Sequence, residues 1–253
     1  GDATINGWWF KNSDINTAGD FDGDGKDEIF LANQSHGGAQ TMKYDEPSQA
    51  WVVTSSNYSN GQFAGWSILN GTDAYSGDFD GDGKDEIFII CNTTGYAGIC
   101  DYNGSSWSMI WDNSTHAGIN GFPADLTRYS YNVGDFDNDG KAELMISQKV
   151  GHVLLDFDPT GSISTNDPFW NTLHDDLVQD PSAYFFEYDQ VSGNFDADSR
   201  DELVEFSQME LWGTGASFDF DGANLLSNWQ TNPGEHMIHK WILNSQSTSY
   251  IPF

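Results

Sequence analysis

Four acidic loops with the pattern D-x-D-x-D-G-x-x-E, or close to it, hold the residues of this sequence best suited to chemistry. In the first loop the aspartates are Asp20, Asp22 and Asp24, and Glu28 follows four residues later. Alternate residues of a tight loop can turn their carboxylates toward one centre, and the glycine at position 6 permits the turn. These four carboxylates and the backbone carbonyl of Lys26 suit a hard cation that accepts roughly six to eight oxygens. We expect calcium, because magnesium prefers fewer protein ligands and zinc prefers Cys or His.

The loop recurs at a nearly constant interval. Its four copies begin at Gly19, Gly77, Gly134 and Gly193, with spacings of 58, 57 and 59 residues. In the fourth copy Asn194 replaces the first aspartate and Ser199 replaces the glycine, which removes one charge and makes the turn harder. We therefore expect three strong calcium sites and a weaker fourth. As with Lys26 in the first loop, the residue at position 7 is expected to bind through its backbone carbonyl. The expected ligands of the last three loops are Asp78, Asp80, Asp82, Lys84, Glu86, Asp135, Asp137, Asp139, Lys141, Glu143, Asn194, Asp196, Asp198, Arg200 and Glu202.

The charge balance limits the possible partners. The chain of 253 residues has 39 acidic and 9 basic residues, a formal net charge of −30. Nucleic acids and anionic membranes are bound through clustered Lys and Arg, so we expect neither as a partner. Bound cations are the natural explanation for the acidity. No run of about 18 apolar residues exists, so we expect no membrane insertion.

The segments between the loops also repeat, and they predict strands. Each loop is followed by a short β-like run, then an aromatic residue in a turn-rich stretch, then a tryptophan, and no segment keeps a helical period. About four short strands per unit, repeated radially, make a β-propeller. A linear β-solenoid is the alternative, although its coils are usually shorter than these units. We expect one all-β domain, 1–253, a four-bladed ring with repeats at about 8–65, 66–122, 123–182 and 183–240, closed by 241–253.

The loop segments resemble those of a known family. GDFDGDGKDEIF, present twice, GDFDNDGKAELM and GNFDADSRDELV are similar to FG-GAP repeats, also grouped with VCBS repeats. These repeats occur in the propellers of integrin α chains, in fungal FG-GAP lectins and in many secreted bacterial proteins. The resemblance covers about a fifth of the chain, and it implies calcium within each blade and a secreted location. Propellers of integrins and these lectins have more than four blades, so the present chain is a smaller ring or a fragment.

A lectin-like binding module is the leading functional hypothesis. Repeated units place equivalent pockets between blades, which gives avidity, and tryptophan faces are platforms for sugar rings. Glycans or glycoproteins are then the expected partners. An integrin-like adhesion module that binds proteins is the first alternative, since aromatic residues also suit protein interfaces. Packing between blades is the other possible role of the candidate ligand-binding tryptophans, which are Trp8, Trp66 and Trp241 beside the loops and Trp51, Trp107, Trp170 and Trp229 in later strands.

A polysaccharide-active enzyme, or its accessory domain, is the second alternative. His174 stands beside Asp175 and Asp176, but this arrangement does not repeat, and no G-x-S-x-G nucleophile motif is present. Paired carboxylates could hydrolyse glycosides, yet the evident acidic clusters are already assigned to metal. We therefore expect no catalytic residues and no enzymatic activity.

Two cysteines, Cys91 and Cys100, flank a glycine-containing stretch. Strands paired across that turn could bring them together as a disulfide, or both could be buried thiols. A bridge would indicate an oxidising compartment.

Overall fold

The chain is all-β in the part that the structure describes. This computed structural model describes residues 4–9, 11, 14–35, 37–56, 62–116, 118–148, 151–163, 167–175, 188–195, 198–207, 214–220 and 225–230. Within them, one turn of 3-10 helix, Asn113–Thr115, accompanies the strands. In these residues no helix has the length and apolarity needed to cross a bilayer.

The strands are short and follow one another closely. In chain order they are β1 (Thr4–Ile5), β2 (Trp8–Trp9), β3 (Asp14–Gly19), β4 (Glu28–Asn33), β5 (Gly38–Asp45), β6 (Ala50–Ser56), β7 (Gln62–Phe63), β8 (Trp66–Ser67), β9 (Thr72–Gly77), β10 (Glu86–Cys91), β11 (Tyr96–Tyr102), β12 (Trp107–Asp112), β13 (Ser130–Gly134), β14 (Glu143–Ser147), β15 (His152–Phe157), β16 (Trp170–Asp175), β17 (Tyr188–Gly193), β18 (Glu202–Ser207), β19 (Thr214–Phe220) and β20 (Leu225–Gln230).

Four sheets of four antiparallel strands confirm the four-stranded unit expected from the sequence. They are β3-β4-β5-β6, β9-β10-β11-β12, β13-β14-β15-β16 and β17-β18-β19-β20, each in sequence order and each within one predicted repeat. In every sheet the acidic loop joins the first strand to the second. The second strands are buried on both faces, as in EIFIIC of β10, because sheet packing covers them on each side.

A two-residue turn recurs before three of the sheets. It closes the hairpin β1–β2, the hairpin β7–β8 and the isolated bridge between Ile119 and Phe122. Both central residues have positive φ, the conformation of a type I′ turn, which favours Asn-Gly. The central pairs are Asn6-Gly7 (47° and 83°), Ala64-Gly65 (49° and 85°) and Asn120-Gly121 (49° and 92°). Equivalent segments near Trp8 and Trp66 are evident in the sequence, but they do not by themselves predict the turn.

The described residues form two compact units, one within 1–126 and 156–171 and the other within 127–155 and 172–253. The core of the first unit joins its two complete sheets through the second hairpin. Phe63 lies against Phe30 at a ring-centroid distance of 4.8 Å and against Trp107 at 5.3 Å. The core of the second unit contains Phe136, Met145, Leu154, Leu203 and Phe220.

The cysteines lie too far out of register for a disulfide. On neighbouring strands, Cys91 pairs with Tyr96 and Cys100 pairs with Ile87, an offset of four residues. At about 3.3 Å per residue this separates them by roughly 13 Å, well beyond the ~7 Å limit between Cα atoms. Both are buried free thiols. The bridged alternative is therefore wrong, and the buried-thiol alternative is confirmed.

A buried polar network occupies the second unit. Asn132 donates to the side chain of Gln190 at 2.7 Å, and Gln190 donates to the carboxyl group of Glu205. Nδ1 of His152 lies 3.0 Å from the hydroxyl of Ser147 and 3.9 Å from Glu205. Burial raises the pKa of Glu205 from 4.5 to about 7, against the lowering effect of the Gln190 hydrogen bond.

Stability should depend on pH through Glu205. When the pKa of a carboxyl group is higher in the folded state than in the unfolded state, the group stabilises the fold fully below its unfolded-state pKa. This stabilisation is lost as the pH rises through the folded-state pKa. The free energy of unfolding should therefore fall by about 3 kcal/mol between pH ~5 and pH ~8. Glu205→Gln stays neutral and should remove this fall, whereas exposed Glu46→Gln should retain it. Urea unfolding in excess calcium measures both, and an undiminished fall in Glu205→Gln would contradict the assignment.

Candidate metal centres

The loop geometry brings carboxylates together at the start of three sheets. In each loop the last acidic ligand is the first residue of the second strand, so the strand fixes its position. The grouped oxygens lie within 4.8 Å of one another, the spacing that ligands about 2.3–2.6 Å from a shared calcium ion would have. The groups are Asp20, Asp22 and Glu28; Asp78, Asp80 and Glu86; and Asp135, Asp137, Asp139 and Glu143.

The glutamate of each of these loops is almost fully buried. Glu86 and Glu143 are 0% exposed and Glu28 is 2% exposed. Oε2 of Glu86 accepts hydrogen bonds from the backbone N–H groups of Phe79 at 2.8 Å and Asp80 at 3.3 Å, and the other two glutamates accept the equivalent pair. Oε1 is buried without a hydrogen-bond partner in all three. A buried carboxylate oxygen with no donor, facing further carboxylates, is a position that a cation satisfies.

The electrostatics of the three glutamates point the same way. Burial raises the pKa of Glu28 to about 7 and those of Glu86 and Glu143 to about 9, and the neighbouring aspartates add to the rise. Burial disfavours the charged form of a carboxyl group, and nearby like charge does the same. A cation at the centre of each group would reverse both effects, so the residues present fit a metal ion.

A family match agrees with this loop geometry. The family of FG-GAP-like repeats matches residues 20–89 and 78–146, two overlapping copies that together cover half of the chain. The chain belongs to the FG-GAP-like repeat family. No curated protein sequence matches it.

Solved structures extend the likeness to most of the chain. A lectin from Agrocybe aegerita, described as recognising non-reducing terminal N-acetylglucosamine, is 14% identical, with a TM-score of 0.53 over 89% of this chain and 53% of the lectin. The β-propeller domain of Nup133 from Vanderwaltozyma polyspora is 10% identical (TM-score 0.41; 90% and 65% covered). A rhamnogalacturonan lyase from Bacillus licheniformis is 15% identical (0.38; 76% and 42%).

These likenesses concern the fold. The chain spans about half the length of the Agrocybe aegerita lectin, and at this identity the resemblance does not transfer a ligand. Together with the family match and the four-stranded sheets, the fold likeness to this lectin supports a propeller-like arrangement of FG-GAP repeats.

Basic side chains partly neutralise the FG-GAP loops. Nζ of Lys43 lies 2.6 Å from Asp22 and 3.6 Å from Asp24, while Lys84 pairs with Asp82. Asp24 and Asp82, both expected ligands, stand outside the carboxylate groups, whereas Asp22, which also pairs with a lysine, belongs to its group. At position 7, the side chains of Lys26 and Lys141 reach Glu46 at 2.8 Å and Asp139 at 3.6 Å. Such exposed pairs are worth little individually.

The fourth FG-GAP loop differs in its internal bonds. The amide of Asn194 donates to the backbone carbonyl of Asp198 at 2.6 Å, and the guanidinium of Arg200 donates to the Asp198 carboxylate at 2.8 Å. Glu202 keeps the buried position and accepts from the N–H of Phe195 at 2.6 Å. Asp196 lies outside the described residues. Asn194 thus donates to the loop backbone where the other loops have a carboxylate, whereas the Arg200–Asp198 pair is equivalent to the Lys84–Asp82 pair of the second loop.

The candidate ligand-binding tryptophans are mostly core residues. Trp8, Trp66, Trp107 and Trp170 are 3%, 6%, 9% and 0% exposed, so little of their ring faces is open to a ligand. Trp51 is half-buried and packs edge-on against Tyr44, which is 47% exposed, at 5.8 Å. Trp229 lies in β20 but its side chain is outside the description, and Trp241 lies outside the described residues.

Two cavities lie beside outer strands of the first compact unit. The first has a volume of about 420 Å³, and Ser55, Ser56, Gln62, Ser106 and the rings of Phe63 and Trp107 contribute to its lining. Among the described residues around it no side chain is charged. The second, of about 250 Å³, is lined by residues that include Trp111, Asp112, His116 and Phe169. Sequence reasoning missed both cavities, because hydroxyl-bearing residues carry no spacing signal.

The buried glutamates should control the response of the fold to calcium. Glu86→Gln keeps the shape but removes the charge, so it should leave stability in chelator nearly unchanged. Calcium at about one hundred times its Kd stabilises by about 2.7 kcal/mol per site, and Glu86→Gln should lose about that share. Urea unfolding with calcium and with chelator measures the difference. Exposed Glu46→Gln is the control, and an equal calcium response in the two variants would count against the site.

Proposed function

We propose that this chain is a calcium-stabilised β-propeller binding module of lectin type. In this proposal four FG-GAP blades form a ring closed by residues 241–253, and the ring holds neutral glycans in cavities between blades. A likeness of fold to a lectin does not establish function, so the proposal is based on the cavities of this chain.

The observation that supports this proposal is that the linings of the two cavities share three equivalent positions of successive repeats. Trp51, Trp107 and Trp170 are equivalent in the aligned repeats, so Ser55 and Ser56 of the first cavity correspond to Trp111 and Asp112 of the second. By the same alignment, Ser106 corresponds to Phe169. Random surface irregularities would not recur at one position of the repeat. Recurrent cavities are what a multivalent binding protein needs.

The lining of the first cavity indicates the ligand. Serine hydroxyls and the Gln62 amide can donate and accept hydrogen bonds, while Phe63, which is 3% exposed, forms part of a largely buried apolar wall. Polyhydroxylated, uncharged ligands match this combination. An acidic polysaccharide would find no cation among the described lining residues and would meet a chain with a net charge of −30. A neutral glycan is therefore the class of ligand that we propose.

Calcium is the proposed cation, with three strong sites and a weaker fourth. All-oxygen ligand sets and the absence of Cys or His from the three described groups favour calcium over zinc. Binding adds to folding free energy, so calcium is a structural element in this proposal. Extracellular calcium is abundant enough to saturate sites of modest affinity, which fits a secreted protein.

The lining of the first cavity supports enzymatic turnover less well than it supports glycan binding. General acid–base catalysis needs a titratable group in contact with the substrate, and the described lining contains no Asp, Glu or His. The second cavity does contain Asp112 and His116. Release of reducing ends from a polysaccharide, lost in His116→Ala, would therefore favour the enzyme alternative.

A glycan array is the direct test of the proposal. The calcium-loaded chain should bind neutral glycans and should not bind uronic-acid polymers or a panel of matrix proteins. Ser106→Trp should fill the first cavity and weaken binding at that site by at least about tenfold, about 1.4 kcal/mol. Titration calorimetry with an array hit gives the affinity and the number of sites.

Ser48→Trp is the matched control, since Ser48 is an exposed serine in the turn between β5 and β6. It should bind as tightly as the unaltered chain. Selective binding of a matrix protein would favour the adhesion alternative. Absence of glycan binding by the calcium-loaded chain, or equal loss in both variants, would overturn the lectin-type proposal.

A further inference from the structure

The first two acidic loops are joined by an aspartate that is a ligand of neither. Asp85 donates its backbone N–H to the carbonyl of Asp20 at 3.0 Å, and its Oδ2 accepts the N–H of Asp20 at the same distance. Asp20 is the first ligand of loop 1, and Asp85 directly precedes Glu86, the buried ligand of loop 2. Asp85 therefore holds one loop through both its backbone and its side chain while it is covalently fixed to the other.

The same link joins the last two loops. Asp201 donates its N–H to the carbonyl of Asp135 at 2.8 Å and accepts the N–H of Asp135 at 3.0 Å. Asp201 directly precedes Glu202 of loop 4. Both aspartates approach so closely that a Cβ on Gly19 would lie 2.3 Å from Asp85, and one on Gly134 would lie 2.8 Å from Asp201. Glycine at these two positions is therefore required by the link.

A serine adds a second bond within each pair of repeats. The hydroxyl of Ser76 donates to the carbonyl of Ala18 at 2.6 Å, and that of Ser192 donates to the carbonyl of Val133 at 2.7 Å. In the third repeat the two linking positions hold Val133 and Ala142, whose side chains have no hydrogen-bonding atoms. Among the described residues, the side chains that make these links belong to the second and fourth repeats, while Asp27, at the same position of the first repeat, is exposed.

We propose that the cation loops work as two coupled pairs, loops 1 and 2 and loops 3 and 4, with Asp85 and Asp201 as the positioning residues that couple them. This inference rests on the cation role proposed above. A cation in loop 2 fixes Glu86 and hence Asp85, and Asp85 then holds the backbone of Asp20 in position to bind the cation of loop 1. Coupling of binding is reciprocal, so a cation in loop 1 favours one in loop 2 to the same degree.

Calcium titration calorimetry on the chelator-treated full chain tests this coupling. Asp85→Ala removes no ligand, yet it should weaken one strong site by roughly 5- to 150-fold, the usual range of coupling between sites. Asp27→Ala is the matched control, because Asp27 is an exposed aspartate at the same repeat position of loop 1 and also precedes a ligand. Asp27→Ala should titrate like the unaltered chain.

Loop-specific variants separate coupling from a general loss of affinity. Asp78→Ala, which removes a ligand of loop 2, should abolish one strong site and weaken a second. In Asp85→Ala, the further change Asp78→Ala should abolish one site without weakening another. If Asp85→Ala does not fold, the comparison of Asp78→Ala with the unaltered chain still tests the coupling, because it leaves Asp85 in place. Asp85→Asn, whose amide oxygen can still accept from Asp20, should preserve most of the coupling.

The outcomes are distinct. Equal titrations of Asp85→Ala and Asp27→Ala, or loss of a single site without weakening of another in Asp78→Ala, would overturn the coupling while leaving the calcium role intact. An unaltered chain that takes up no calcium would overturn both. Glycan binding does not enter this test, so failure of the lectin-type proposal would be seen separately.

Discussion

A buried glutamate at the first position of the second strand ties each complete acidic loop to its sheet. One of its oxygens accepts backbone N–H groups of the loop, including that of a core phenylalanine such as Phe79, and the other faces the aspartates. The acidic ligand cluster and the hydrophobic core are therefore connected through a few adjacent residues. The loop cannot rearrange without disturbing Phe79, which is 0% exposed, and the core cannot close without bringing the carboxylates together.

In the proposed cation-bound form, folding and cation binding are parts of one equilibrium. Burying a carboxyl group beside others is unfavourable in its charged form, and the raised pKa values of Glu86 and Glu143 express that cost. A cation converts the same geometry from repulsive to attractive, so the free energy of binding becomes free energy of folding. Part of the chain's acidity is thereby placed where a cation can compensate it.

The sequence predicts well those features that depend on local spacing. The D-x-D-x-D-G-x-x-E pattern locates the loops, and the apolar runs after them locate the second strands, because both follow from a few adjacent residues. The disulfide alternative failed because register is set by pairing along the whole of β10 and β11, and that pairing places Cys91 opposite Tyr96.

Features that depend on contacts between repeats were harder to predict. The recurrence of Trp66, Trp107 and Trp170 is equally compatible with core packing and with ligand binding, and only their burial distinguishes the two. Likewise, the sequence does not distinguish Asp85 from the other acidic residues of its loop. Only the structure shows its bond to Asp20, which lies 65 positions away. The cavities depend on small polar residues brought together from several strands, which no local pattern marks.

Among the described residues, the aspartate and serine bonds between repeats have a longer period than the fold. The acidic loops recur every 57 to 59 residues, but Asp85 and Asp201 lie 116 positions apart, as do Ser76 and Ser192. Chemically, then, the unit of this architecture is a double repeat. A chain that grew by copying two repeats at a time would inherit every such bond intact, whereas copying the third repeat alone, with Val133 and Ala142 at the linking positions, would add copies that lack them. Modular engineering of this scaffold would accordingly cut and join it between pairs.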